Sequence, residues 1–454
     1  MKDLTKGNVF KLILFFTIPI LLGSMTGQVT FIVERIIVGK SIGKEALAAI
    51  GEVFPFIFFM SSIVTGISIG GNILLAQYFG AKNMFKVIRT IETNIVFLFV
   101  SSLLVTFIGI ALCPIIFKFI GVPDDVMPQA VIYARIYFAG LIFMFFTNTI
   151  GAMLRSLGDS KTPFVFSIIT NGINLLLDFL FVYYYKLGIT GVGLAVVLSY
   201  LITFLGLAYY FFFKQKHLKL SLFNLTFDKE IFFFSVKKGL PIGVQTLILS
   251  FAMNFVIKFL NPFGSDSMAA YTAAAGIDAI MFMFAMDISM GLSSFVGQNI
   301  GANRFDRIKK GMLAAWIICF IPVFILTVFS LFKGEWMIGF FSNDKEVINI
   351  GVSYLKIVSS FYLVCVTTFI FGSVFNGAGR TVLTLISTII GWWVVRIPVS
   401  YYLSKSIGVD GIWWGISAQW VSEFIFILVL YFIGKWKIKA MNSISNLHLQ
   451  TQLQ

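Results

Sequence analysis

The sequence predicts an all-α polytopic membrane protein, with twelve transmembrane helices in two pseudo-symmetric six-helix bundles. Three observations predict it. Apolar residues make up 58% of the 454-residue chain and charged residues only 12%, about half the charge of a soluble domain. The apolar residues gather in twelve runs of membrane-spanning length. The first six runs match the second six at an offset of about 221 residues.

Composition excludes most other classes. Phe alone contributes 53 residues, and it buries a large area with no polar atom to satisfy. Cys113, Cys319 and Cys365 all fall inside apolar runs and read as small buried hydrophobes, with no disulfide framework and no metal-ligand spacing. His217 and His448 are the two histidines, both in polar segments, which leaves no zinc site and no Ser-His-Asp set. Lys2, Lys6 and Lys11 precede an apolar run that continues to about residue 33, too long for a signal peptide, so it reads as the first membrane helix. No cofactor is expected.

Crossing the bilayer as a helix takes about 20 apolar residues. Runs of that length lie near 9–33, 50–78, 94–117, 129–154, 163–185 and 189–213, then near 239–260, 269–297, 312–332, 347–375, 382–404 and 409–434. They are too uniformly apolar for barrel strands, which alternate at every second residue. Between the runs, basic residues divide unequally. One set of connections holds 22 of them, and the alternate set holds 8. The positive-inside rule places the richer set, with both termini, in the cytoplasm and the protein in the cell membrane. The net charge of +14 is therefore topological, and nucleic acid is not an expected partner. The connection from about 214 to 238 is the longest basic one and the expected hinge between halves.

The repeat is an ordered series. Pro19 corresponds to Pro241, and "SIGGNILLAQYFGAKN" from Ser68 corresponds to "SMGLSSFVGQNIGANR" from Ser289. Gln77 falls on Gln298, Tyr133 on Tyr354, Gly151 on Gly372 and Gly158 on Gly379. This sets the expected domains: a lobe at 1–220, a lobe at 221–440, and a polar cytoplasmic tail at 441–454. With six helices per half, both halves enter from the same side and are related by an axis along the membrane normal. Two such bundles suit alternating access.

Charges at membrane depth are costly, on the order of 2.5–3.5 kcal/mol by insertion scales, so each calls for a partner or a function. Glu34 lies near the far end of the first helix. Asp178 is in the fifth, with Asn174 and Asn171 one and two turns below on one face. Two carboxylates with amide oxygens suit Na⁺ or a shared proton, so Glu34, Asn174 and Asp178 are the expected coupling-cation site. The bland reading is that Glu34 pairs with Arg35. In the second half, Arg396 and Glu423 are expected to form a structural ion pair. Asn254, Lys258, Asp278 and Asp287 are candidates to line a polar cavity, with Lys258 pairing to either Asp. Gly66 and Gly70 form a GxxxG and are expected to pack helices closely.

The segments "VERIIVGKSIGKEALAAIG", "GISIGGNILLAQYFGAKN", "MLRSLGDSKTPF", "NGINLLLDFLFVYYYKLGITGVGLAV", "FVGQNIGANRFDRIKKG" and "GWWVVRIP" resemble the multidrug and toxic compound extrusion (MATE) family. The resemblance covers nearly all of 1–435, in order. It implies twelve helices in two lobes and export of organic cations and other amphipathic compounds, coupled to entry of H⁺ or Na⁺. The family's Asp in the first helix is replaced by Glu34, whereas its Asn-x-x-x-Asp carries over onto Asn174 and Asp178. Lys258 and Asp287 depart from its pattern. The expected protein is a monomeric antiporter of small organic substrates, surrounded by lipid. The alternative is a flippase of lipid-linked precursors, which a strongly cationic cavity would favour. An enzyme is not expected, since no nucleophile–base set, metal cluster or P-loop is present.

Overall fold

The computed structural model describes residues 2–214, 225–434 and 437, apart from the side chains of Met253 and Asn254. The chain is helical nearly throughout, and the described residues contain no strand. In the first half lie α1 (Val9–Ser41), α2 (Lys44–Gly80), α3 (Met84–Ile120), α4 (Met127–Ser156), α5 (Lys161–Tyr184) and α6 (Gly188–Lys214). In the second lie α7 (Lys229–Leu260), α8 (Gly264–Gly301), α9 (Phe305–Gly339), α10 (Lys345–Gly377), α11 (Thr381–Ile407) and α12 (Asp410–Ile433). Among the described residues eleven continuous helical stretches are long and apolar enough to cross a membrane, one of them the 73-residue run Lys229–Gly301. That run turns at the 3₁₀ segment Asn261–Phe263 and at Gly264, whose φ of +82° is a left-handed value that side chains avoid. It is therefore two crossings, α7 and α8, which makes twelve among the described residues.

The helices outrun the apolar stretches read from the sequence. α2 and α3 each have 37 residues, roughly 55 Å of helix against about 30 Å of hydrocarbon. α7 begins at Lys229, inside the expected 214–238 connection, because its charged first turns continue as helix beyond the apolar segment. Residues 215–224 of that connection and the tail 441–454 lie outside the described residues. The molecule's flanks are apolar, as lipid contact requires: Phe119 is 89% exposed and Phe332 80%.

The chain forms two compact units. One comprises Ile18–Gly243 with the first three residues, and the other comprises Leu4–Thr17 with the chain from Val244 onward. The start of α1 thus belongs to the second unit, and the first half of α7 to the first. Each exchanged segment is tied down. Leu4 donates its backbone N–H to Gln298 (3.0 Å), and Asn299 donates to the Leu4 carbonyl (3.3 Å). In the other unit Lys238 donates to Gln77 (2.8 Å), and the N–H of Asp228 to Thr93 (3.1 Å). Gln77 and Gln298 are the pair matched in the repeat. α2 crosses α7 where Gly66 and Gly70 meet Gly239 and Gly243. A Cβ on Gly66, Gly70 or Gly239 would collide with the backbone opposite.

Within the first unit α4 is central, packing on α2, α3, α5 and α6. In the second, α10 packs on α8, α9 and α12, and α12 also packs on α11.

Candidate functional site

In the first unit the site is built by α1 and α5. Thr170 of α5 donates to Thr203 of α6 (2.9 Å), fixing one face of α5. Its neighbour Asn171 donates to Thr26 of α1 (3.1 Å), and Ser167 to the Gly23 carbonyl (3.4 Å). From that anchor Glu34 is eight residues on, about 12 Å along α1, and Asp178 is seven on, about 10.5 Å along α5. The two carboxylates arrive at the same level, and Asp178 lies within electrostatic range of Glu34.

Asp178 is only 1% exposed. Asn174 donates to its Oδ2 at 3.2 Å, while its Oδ1 is buried with no hydrogen-bond partner. A buried acceptor with no donor is costly, by about 1–3 kcal/mol, and marks where a proton or a cation would sit. Phe179, the next residue, opens a π-helical stretch, Phe179–Tyr184, a feature often found at functional sites. Glu34 is half-buried, and no ion pair within 4 Å joins it to Arg35 among the described residues. Arg35, turned about 100° away as the next residue of a helix, lies over the Phe31 ring at 4.0 Å. Three tyrosines that sequence reasoning missed, Tyr133 and Tyr137 of α4 and Tyr200 of α6, lie within electrostatic range of Glu34.

The second unit has its own polar centre. Asp278 of α8 accepts from the hydroxyls of Tyr354 (2.5 Å) and Tyr362, both on α10. Tyr354 packs edge-on against Trp413 (4.7 Å between centroids), and Tyr271 stacks on the same indole (5.9 Å). Tyr354 is the repeat partner of Tyr133, so in both units that position faces a buried carboxylate; the sequence match was the signal that could have found both.

Arg396 and Glu423 correct an expectation, since they make no direct ion pair. Gln419 stands between them, accepting from Arg396 (2.9 Å) and donating to Glu423 (3.0 Å). The guanidinium lies over the Trp392 ring at 4.1 Å. Lys258 does not pair with Asp278 either. It sits in the last turn of α7 and is exposed, while both oxygens of Asp278 are taken by tyrosines. Asp287 is buried nine positions along α8. The side chain of Asn254 lies outside the described residues.

Among the described residues no three His, Cys, Asp or Glu side chains gather as a metal site. The arrangement in each unit is that of a buried carboxylate held by amide or phenol donors, which can carry a proton or a monovalent ion but lacks the nucleophile and base of a hydrolytic site.

Comparison with known proteins agrees with this architecture. The MatE family model matches twice, at residues 19–180 and 241–402, one copy per half. The chain is 30% identical over 451 residues to the probable multidrug resistance protein YoeA of Bacillus subtilis, covering 96% of both chains, and 27% identical over 437 residues to YpnP of the same organism. It superposes with a TM-score of 0.89, at 22% identity, on the outward-facing conformation of a multidrug resistance MATE family transporter of the MOP superfamily, covering 97% of this chain and 98% of that one. The twofold match, the full-length relatives and the twelve-helix fold together establish that the chain belongs to the MATE family of multi-pass membrane transporters and is not an enzyme.

Proposed function

We propose that this transporter is an antiporter, exporting amphipathic or cationic organic compounds in exchange for H⁺ or Na⁺ that enters through Glu34, Asn174 and Asp178. The observation that carries the reading is the buried, unpartnered Oδ1 of Asp178 beside a second carboxylate. Two carboxylates close together in a poorly solvated place repel unless a cation lies between them or one holds a proton. That is the group an exchanger needs, because its occupancy differs between the states in which substrate and ion are bound. The flippase alternative finds no support in the names of the two Bacillus subtilis relatives, which are probable multidrug resistance proteins.

The rest of the reading follows. The repeat units 1–220 and 221–440 act as lobes, and the protein works as a monomer in the cell membrane with both termini in the cytoplasm. The test is efflux from proteoliposomes under an imposed pH gradient and, separately, an imposed Na⁺ gradient. Asp178→Asn is expected to fold and insert normally and to lose gradient-driven efflux, while keeping part of its equilibrium substrate binding. Glu34→Gln is expected to be equally impaired if the two acids work as a pair, since no ion pair within 4 Å ties Glu34 to Arg35 among the described residues. Wild-type gradient-driven efflux in Asp178→Asn would overturn the assignment.

A further inference from the structure

The second unit holds a charge arrangement that the coupling site above does not use. One fixed positive charge, Arg396, faces two carboxylates, Asp278 and Glu423. Asp278 is closed off, with two tyrosine hydroxyls on its two oxygens. Glu423 is half-buried, and Gln419 is the one side chain that donates to it among the described residues. The spare acceptor capacity of the cluster therefore lies at Glu423, and the cluster holds one carboxyl group more than it has cations.

Glu423 also lies against the backbone of α11. Residues Ile390–Arg396 form a π-helical stretch, two residues short of Pro398, whose missing N–H leaves the carbonyl of Val394 without its α-helical donor. At the start of that stretch Gly391 lies so close to Glu423 that a Cβ there would collide with the carboxyl group. At its end, Arg396 is held by Gln419. The Glu423–Gln419 ladder on α12 thus packs against the start of the π-turn and is hydrogen-bonded to its end at Arg396.

We propose that Glu423 is a cation-responsive residue of the C-terminal unit: its ionised carboxylate clamps the π-turn of α11 through Gln419 and Arg396, and its neutralisation by a proton or a monovalent cation releases the turn. A π-turn that relaxes to α-helix advances everything beyond it by one residue, roughly 100° about the axis. The charged and titratable groups that face Glu423 are Arg396 on α11 and Cys365 on α10, and behind Arg396 lie Asp278 and Tyr271 of α8 with Tyr354 and Tyr362 of α10. The inference rests on the antiport reading only for the choice of ions.

The test uses the full-length protein in lipid nanodiscs, with the three native cysteines replaced and an environment-sensitive fluorophore on Tyr402→Cys, an exposed position of α11 beyond the π-turn. The wild-type signal is expected to titrate between two levels as pH falls. Glu423→Gln is expected to stay at the low-pH level throughout, and Gln419→Leu, with Glu423 intact, to lose at least half of the amplitude. Asp178→Asn is expected to titrate as wild type, so a failure of the N-terminal site and a failure of this one are distinguishable. Na⁺ added at high pH moves the signal to the low-pH level if the ion substitutes for the proton, and leaves it unmoved if the group takes only protons. A wild-type signal flat with pH and Na⁺, or a Glu423→Gln signal that titrates like wild type, overturns the proposal.

Discussion

At the scale of single residues, each unit centres on a buried carboxylate, and the two are satisfied differently. Asp178 keeps an unpartnered oxygen, whereas both oxygens of Asp278 accept phenol hydroxyls. Asp278 is therefore expected to be the structural one. Tyr354→Phe and Tyr362→Phe should each lower thermal stability by about 1–3 kcal/mol, since each strands a carboxylate oxygen in an apolar site. Asp278→Leu, which removes the acceptor, should cost less than the double tyrosine variant. Unfolding of the purified variants in one detergent measures this, and a double variant as stable as wild type would refute it. The sequence displayed Glu34, Asn174 and Asp178 because acids are rare in apolar runs and stand out. It hid Tyr133, Tyr137, Tyr200, Tyr354 and Tyr362, because tyrosine is common at membrane depth both as filler and as an interface anchor. It also suggested an Arg396–Glu423 pair, since opposite charges at similar depth attract. Gln419, four residues before Glu423 on the same face of α12, reaches both charged groups first.

At the scale of helices, the sequence displayed the number and order of spans but not their ends. A hydropathy run stops at the first charged residues, whereas a helix continues as long as its backbone bonds are made, as α7 does from Lys229. The GxxxG of α2 was legible as a packing signal, yet its partner was not, because the facing Gly239 and Gly243 lie about 170 residues away and in the other half of the repeat. This crossing makes a contrast within one helix. Gly70→Ala should destabilise the protein by roughly 1–3 kcal/mol or more, since the backbone of α7 leaves no room for a methyl group. Gly51→Ala, also in α2 but with nothing within 4 Å, should be neutral or slightly stabilising through helix propensity. Equal melting temperatures for the two variants would show that the α2–α7 crossing is looser than its glycines require.

At the scale of the whole molecule, the repeat was the most legible feature, and the exchange of the first parts of α1 and α7 between the compact units was the least. A repeat is written in the order of residues, but an exchange depends on which neighbour each half of a helix meets, and the bonds from Leu4 to Gln298 and from Asp228 to Thr93 join residues 294 and 135 positions apart. Orientation in the membrane lies between these extremes, because it is fixed by charge before packing begins. Basic residues are held back on the cytoplasmic side during insertion, and the bias of 22 against 8 across the connections is what supports the proposed orientation. Ser221, in the connection before α7, and Ser265, exposed in the first turn of α8, should then face opposite compartments, since α7 runs once across between them. Cys113, Cys319 and Cys365 are buried, so replacing them gives a silent background. In intact cells, a membrane-impermeant maleimide should label Ser265→Cys and miss Ser221→Cys, with Ser221→Cys becoming reactive once the membrane is permeabilised. The reverse pattern would invert the topology, and with it the side from which the coupling ion reaches Glu34 and Asp178.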